Sequence, residues 1–289
     1  MSFAYAFSMS ELSYFLNLPD EVTSEVIIAS PHSGRGYPPD FVAASDLTAL
    51  QLRSSEDAFM DILTAEATRH GMRHLAAYYP RAYVDLNRNS KALDPALIEG
   101  APAIKGDARI QAGLGVIPRV VAHNQVIQNG KMSIENAHSR LDQAWHPYHA
   151  CLAQNMDQNV AQFGRAILMD FHSMPHGAVS HLATPTSPAP EIVIGDREGR
   201  SADRRLSDTV EGIFKDHGFL TRRNVPFSGA YISNYYGKPK KNWHAIQVEI
   251  DRSLYMDEMD VRPSADFNQL QARLEAVLVD LAQIGAHLS

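Results

Sequence analysis

Two apolar runs in this chain stop at the same dipeptide. Glu25-Val26-Ile27-Ile28-Ala29-Ser30-Pro31 leads into His32-Ser33-Gly34, and Arg165-Ala166-Ile167-Leu168-Met169-Asp170-Phe171 leads into His172-Ser173-Met174-Pro175. Continuous aliphatic runs closed by Pro or Gly read as buried parallel strands. Open α/β sheets place their chemistry at the carboxyl ends of such strands. One imidazole at a strand end is ordinarily a hydrogen-bonded loop residue; two in matching contexts point to a shared metal ion. A catalytic zinc commonly takes two His and one carboxylate and keeps a position for water. Glu56 and Asp57, in Ser54-Ser55-Glu56-Asp57, both qualify as that carboxylate, and spacing does not choose between them. Without the two His they would read as ordinary acids in the first turn of a helix.

Two further clusters carry reactive groups. Arg81-Ala82-Tyr83-Val84-Asp85-Leu86-Asn87-Arg88 reads as a strand ending in a carboxylate, an amide and a guanidinium within about 13 Å of extended chain. Arg forks bind carboxylates, and Arg beside a metal stabilises a developing oxyanion. The second is His244-Ala245-Ile246-Gln247-Val248-Glu249-Ile250-Asp251-Arg252, where alternation puts Gln247, Glu249 and Asp251 on one strand face. That face is either solvated or deliberately equipped; a metal-bound water needs a carboxylate base, and Glu249 is the best candidate. His146 and His149 at helical spacing read as surface residues, Cys151 as a buried inert thiol, and Asp196 as a turn cap or a group supporting the site. No G-x-S-x-G elbow, Walker A loop or G-x-G-x-x-G fingerprint occurs; Gly113-Leu114-Gly115 lacks the strand and third Gly it would need.

These groups need a scaffold, and the pattern supplies strands alternating with helices. Strands are expected at 22–29, 75–79 running on to 82–86, 165–171, 191–194 and 245–250. Helices are expected from Ser54, over 133–159 with an interruption near Pro147, over 201–219, and from a cap at Ser264. The order argues for an α/β sandwich with a mainly parallel sheet. Two long connections, 93–118 with four Gly and three Pro, and 174–190, have the length of functional lids. No linker interrupts the chain, so 1–289 reads as one catalytic domain.

Composition narrows the partners. The chain has 289 residues, 45% hydrophobic and 20% charged, enough for one large core. A net charge of -7 argues against nucleic acid or an anionic membrane. A single cysteine, no basic leader and no apolar run near 18 residues together suggest a soluble cytoplasmic protein.

Taken in order, these segments resemble the N-formylglutamate amidohydrolase family. The matching residues are Pro31-His32-Ser33-Gly34, the acid at 56 or 57, Arg81 with Asp85-Leu86-Asn87-Arg88, Asp170-Phe171-His172-Ser173-Met174-Pro175, Gly195-Asp196, Pro226-Phe227-Ser228-Gly229-Ala230-Tyr231, and His244 through Glu249 with Arg252-Ser253-Leu254-Tyr255-Met256. The family is similar to zinc carboxypeptidases and aspartoacylases, which implies a three-layer α/β/α sandwich around a mixed, mainly parallel sheet. It also implies one zinc per chain on His32, His172 and Asp57 (Glu56 if the register shifts), with Glu249 as base and Arg81 polarising the scissile carbonyl. Asn87, Arg88, Arg252, Ser173 and Tyr231 would bind the substrate, a small acidic N-acyl amino acid. The implied reaction is hydrolysis of N-formyl-L-glutamate to formate and glutamate, as in histidine degradation. Gly229-Ala230-Tyr231 departs from the family's Gly-Gly-Tyr, and Asn234 stands where some members carry a basic residue. The substrate therefore stays open to another N-acyl amino acid or a peptide amide. Two other classes share parts of the pattern: a non-haem iron oxygenase, which would want a His-x-acid pair absent here, and an inactive binding module.

Overall fold

The computed structural model describes residues 12–102 and 106–287. Seven strands form one sheet: β1 (Tyr14–Asn17), β2 (Val26–Ser30), β3 (Arg73–Ala77), β4 (Ala166–Met174), β5 (Ile192–Gly195), β6 (Thr221–Arg223) and β7 (Trp243–Asp251), in the spatial order β1-β3-β2-β4-β7-β5-β6. The β1–β3 and β5–β7 pairs are antiparallel and the rest parallel, so the sheet is mixed and mainly parallel. Strand periodicity separates two cores. Ile27, Ala29, Leu75, Leu168 and Ala245 face one helical layer; Val26, Ile28, Ile167, Met169, Ile246 and Val248 face the other.

The helices before the middle of the chain are short: α1 (Pro39–Ala43), α2 (Ala49–Arg53), α3 (Met60–Leu63) and α4 (Ala108–Gln111). The expected long helix begins at α5 (Ile134–Arg140), where Ser133 Oγ accepts from Asn136 N, passes through a π turn at Leu141–Trp145, and continues as α6 (His146–Phe163). The π turn has a cause in Pro147. Its ring would meet the carbonyl of Gln143 in a regular α-helix; the wider turn relieves that contact. Gln143 O instead accepts from Ser13 Oγ at 2.7 Å. Downstream lie α7 (Arg204–Asp216), α8 (Tyr231–Tyr236) and α9 (Phe267–Ala282). Leu152 and Met156 of α6 and Ile232 of α8 pack on the first face; Val210 and Phe214 of α7, with Leu274, Val277 and Leu281 of α9, pack on the second. The result is the three-layer α/β/α sandwich.

Several local expectations need correction. Residues 82–86 are not a strand: Tyr83 N and Val84 N both donate to Pro80 O, and Asp85 N donates to Val116 O, so the segment turns after Pro80. The strand expected over 22–29 starts at Val26, because Thr23 N and Ser24 N are engaged by Gly71 O outside the sheet. Ser54 ends a helix rather than starting one; α2 is capped at its other end by a Thr48–Gln51 capping box. Asp203, not Ser201, caps α7, and Ser264 lies ahead of α9, accepting from Asp266 N. The edge strands β1 and β6 lie outside the expected set. The connection 93–118 buries Leu97, Ile98, Val116 and Ile117 in the first core; its residues 103–105, like the leader-free reading of residues 1–11, fall outside the described residues. No helix among the described residues is long and apolar enough to cross a membrane.

Candidate active site

β2 and β4 are neighbours, yet the chain leaves β2 toward β3 on one side and leaves β4 toward β5 on the other. Such a topological switch point opens a crevice beyond the strands' carboxyl ends. His32 stands two residues past β2, and His172 lies within β4, in register with Glu249 of β7. Gly34 lets the His32 turn lie flat on the next connection, since a Cβ there would sit 2.1 Å from Tyr79 O. Asp57 follows α2, and its backbone N–H donates to His32 O at 3.0 Å, docking that loop against the first histidine.

These three side chains converge. Asp57 Oδ2 lies 2.8 Å from His172 Nδ1 and 3.4 Å from His32 Nδ1, and one ligand atom from each residue lies within 4.8 Å of the others. All three are buried. Glu56 points elsewhere: Tyr37 Oη donates to it at 2.6 Å, and Arg53 Nε pairs with it at 3.1 Å. Burial opposes charge on Asp57, but the hydrogen bond from His172 and the nearby His32 imidazole outweigh it and hold the carboxyl well below its usual range. Burial likewise opposes a charged His172, and Asp170 and Asp57 override it, driving that imidazole well above its usual range. The pocket therefore favours positive charge at the point where the three groups meet.

The remaining imidazole nitrogens test whether a metal fits. His32 Nε2 lies 2.8 Å from Asp85 Oδ1, which fixes its proton there and turns the Nδ1 lone pair toward Asp57. That Nδ1 is buried without a hydrogen-bond partner. His172 Nε2 lies 3.1 Å from Asp170 Oδ2, a buried carboxylate whose two oxygens have no hydrogen-bond partner. An orphaned imidazole nitrogen and a second imidazole, each backed by an acidic partner, suit together with a carboxylate a divalent cation of the zinc type. Arg252 steadies the carboxylate from behind: Nη2 donates to Asp57 Oδ1 at 3.0 Å and Nε to Ser173 Oγ at 3.1 Å.

A cavity of ≈ 460 Å³ opens on this cluster, lined among others by Arg81, Asn87, Arg88, Ser173, Glu249 and Arg252. Glu249 is buried, not solvated, and Gln247 Nε2 donates to its Oε1 at 2.7 Å. Burial, reinforced by Asp57 and Asp170, raises the Glu249 carboxyl against the opposing effects of His172 and Arg81. A raised carboxyl at the cavity wall is suited to taking up a proton. Arg81 Nε pairs with Asp85 Oδ2 at 3.1 Å. Arg88 Nε donates to Leu114 O at 3.1 Å.

The structure does not gather every expected residue. Tyr231 is absent from the cavity lining; its ring stacks on Tyr235 and packs against Trp145 and His149. Both ends of the Asn87 amide are engaged, Oδ1 by Ile232 N at 2.7 Å and Nδ2 near His172 Nε2 at 3.0 Å, so Asn87 braces the site. Arg252 is similarly committed to Asp57. His149 is neither ligand nor surface residue; it is buried, with Nε2 donating to Leu86 O at 2.8 Å, while Trp145 Nε1 donates to Arg88 O at 2.9 Å. Asp196 caps its own turn through Gly199 N and Asn224 Nδ2. Cys151 is buried, and burial pushes its thiol up. Asp85 and Asp170 went unassigned in the sequence reading as partners of the two imidazoles. Asp170 carries a signal: it lies two residues before His172, on the same face of a strand whose preceding residues are all apolar.

The comparisons with known proteins agree with one another. A family model described as N-formylglutamate amidohydrolase matches residues 24–256. N-formylglutamate deformylases of Pseudomonas putida and Pseudomonas aeruginosa are each 29% identical to the chain, over 263 and 261 residues, covering 89% of it and 91% of each relative. The crystal structure of N-formylglutamate amidohydrolase from Ralstonia eutropha JMP134 superposes with a TM-score of 0.87 at 31% identity, covering 96% of this chain and 99% of that one. A gene product of Agrobacterium tumefaciens shares the fold at a TM-score of 0.68 and 15% identity, covering 98% and 97%. The chain belongs to the N-formylglutamate amidohydrolase family.

Proposed function

We propose that this chain is a metal-dependent amidohydrolase that cleaves N-formyl-L-glutamate to formate and L-glutamate. The observation that carries the reading is the buried His32–Asp57–His172 cluster facing the same cavity as Glu249. The related deformylases support the substrate. His32, Asp57 and His172 would hold one zinc ion, which when bound supplies Lewis acidity to the water and the formyl oxygen. Glu249 takes a proton from the attacking water as its oxygen joins the formyl carbon, and delivers that proton to the amine nitrogen as the C–N bond breaks. Arg81, which lines the cavity, would stabilise the oxyanion. Arg88 takes up a substrate carboxylate by a charge-assisted fork. Asn87 and Arg252 hold His172 and Asp57 in place. A single buried cysteine is in keeping with a reducing, cytoplasmic setting.

The test is formate release from N-formyl-L-glutamate by the purified protein, with N-acetyl-L-glutamate alongside and chelator-treated controls. The reading expects formate that disappears on chelation and returns with zinc. Absence of formate from a protein holding one equivalent of metal would overturn the substrate, and absence of bound metal would overturn the centre.

A further inference from the structure

The cavity lining carries paired and unpaired charges. Around the triad, three acids have cationic or imidazole partners: Asp57 faces both histidines and Arg252, Asp85 faces His32 and Arg81, and Asp170 faces His172. The same lining holds Arg88 and Arg109, with Leu114, Pro118, His123 and Asn124. Among the described residues neither Arg88 nor Arg109 forms an ion pair. Arg88 makes hydrogen bonds only to the carbonyls of Leu114 and Asn87, and the Arg109 guanidinium makes none among the described residues. The adjacent acid, Asp107, accepts from Arg109 N and Ile110 N and so caps α4.

The segment around α4 bears one of the two cations and holds the other. Ile110 of α4 is buried and anchors the helix that presents Arg109, and Leu114, just beyond it, holds Arg88 Nε. Burial lowers the Arg88 pKa, Asp85 and Asp107 oppose that, and the charges of Arg109 and Arg81 lower it further, so the guanidiniums feel one another. Two like charges on one cavity wall, neither in an ion pair among the described residues, form a stable arrangement when an anion joins them. The family resemblance puts Arg252 among the substrate-binding residues, but its guanidinium is already committed to Asp57 and Ser173. Arg109 is the lining cation left to take that part.

We propose that Arg88 and Arg109 form a two-carboxylate subsite in which Arg109 selects substrates with an acidic side chain. This rests on the amidohydrolase reading. Arg88 follows Asn87, which touches His172, and therefore takes the α-carboxylate, close to the scissile amide. Arg109 takes the side-chain carboxylate, farther from the amide. A charge-assisted pair of this kind contributes about 10- to 100-fold in affinity.

The experiment compares N-formyl-L-glutamate with N-formyl-L-glutamine, which lacks only the distal charge, for wild type, Arg109→Gln and Arg109→Lys. Circular dichroism melting checks that the variants fold. Wild type should prefer the glutamate substrate by about 10- to 100-fold in kcat/KM. In Arg109→Gln that ratio should fall to near one, mainly through KM, and Arg109→Lys should restore part of it. An unchanged ratio in Arg109→Gln, or no preference in wild type, overturns the subsite. If wild type hydrolyses neither compound, the amidohydrolase reading fails, and calorimetric binding of glutarate against glutaramate then decides the subsite alone. Tighter glutarate binding that Arg109→Gln abolishes upholds it; equal binding in both proteins rejects it.

Discussion

His32 Nε2 lies 2.8 Å from Asp85 Oδ1, and the opposite ring nitrogen is buried without a hydrogen-bond partner. One carboxylate thus sets both the tautomer of the imidazole and the direction of its lone pair. Asp85→Asn keeps the shape of this contact and removes its charge. Zinc affinity should fall about 10- to 100-fold, read by competition with a chromophoric chelator. Unchanged affinity would show that Asp85 serves only the turn around it.

Glu249 separates chemistry from metal binding. Glu249→Gln should lower kcat by about 10²- to 10⁴-fold while leaving metal content intact and KM nearly constant. Near-wild-type turnover in that variant would remove Glu249 from the mechanism.

Arg252 offers a second separation. Its contacts run to Asp57 and Ser173, so Arg252→Met should weaken metal retention, with excess zinc restoring much of the activity. A rise in KM for the acidic substrate, with metal retention unaltered, would instead return Arg252 to the role of substrate anchor.

The pH dependence of stability can be tested away from the site. Burial lowers His74 from 6.5 to about 4, between Asn17 and Thr64. The folded pKa lies below the unfolded one, so the unfolded chain takes up the proton first as pH falls. His74 therefore contributes nothing above about pH 7.5 and destabilises by about 2–3 kcal/mol at pH 4.5. Buried carboxyls such as Glu56, raised by burial, act in the opposite sense, so the readout is a difference. Urea unfolding should show His74→Gln gaining on wild type by that amount between pH 7.5 and 4.5. Parallel profiles would mean that His74 does not titrate in this window.

What the sequence reveals follows from which signals are local. His32 and His172 stand out because a buried parallel strand has almost no other polar residue to show. Glu249 was ambiguous, since alternation marks a polar face without saying whether water or a cavity covers it. The choice of Asp57 over Glu56 depends on Tyr37, which holds Glu56 from a distant segment, and on Arg53 one turn back. Ala82-Tyr83-Val84 has strand propensity, but Pro80 turns the chain first; Ser54 suits either end of a helix. Pairings such as His32 with Asp85 join residues far apart in sequence, which periodicity does not register.

That separation along the chain also shapes how the protein folds. His172 and Asp57 are 115 residues apart, and Arg252 and Asp57 are 195 apart. The binding groups meet only when β2, β4, β7 and the connection after α2 are all in place, so no early, locally structured intermediate holds them. A cation binding here stabilises the completed chain alone. It acts chiefly by slowing unfolding, leaving the rate of collapse and of first strand pairing to the local sequence.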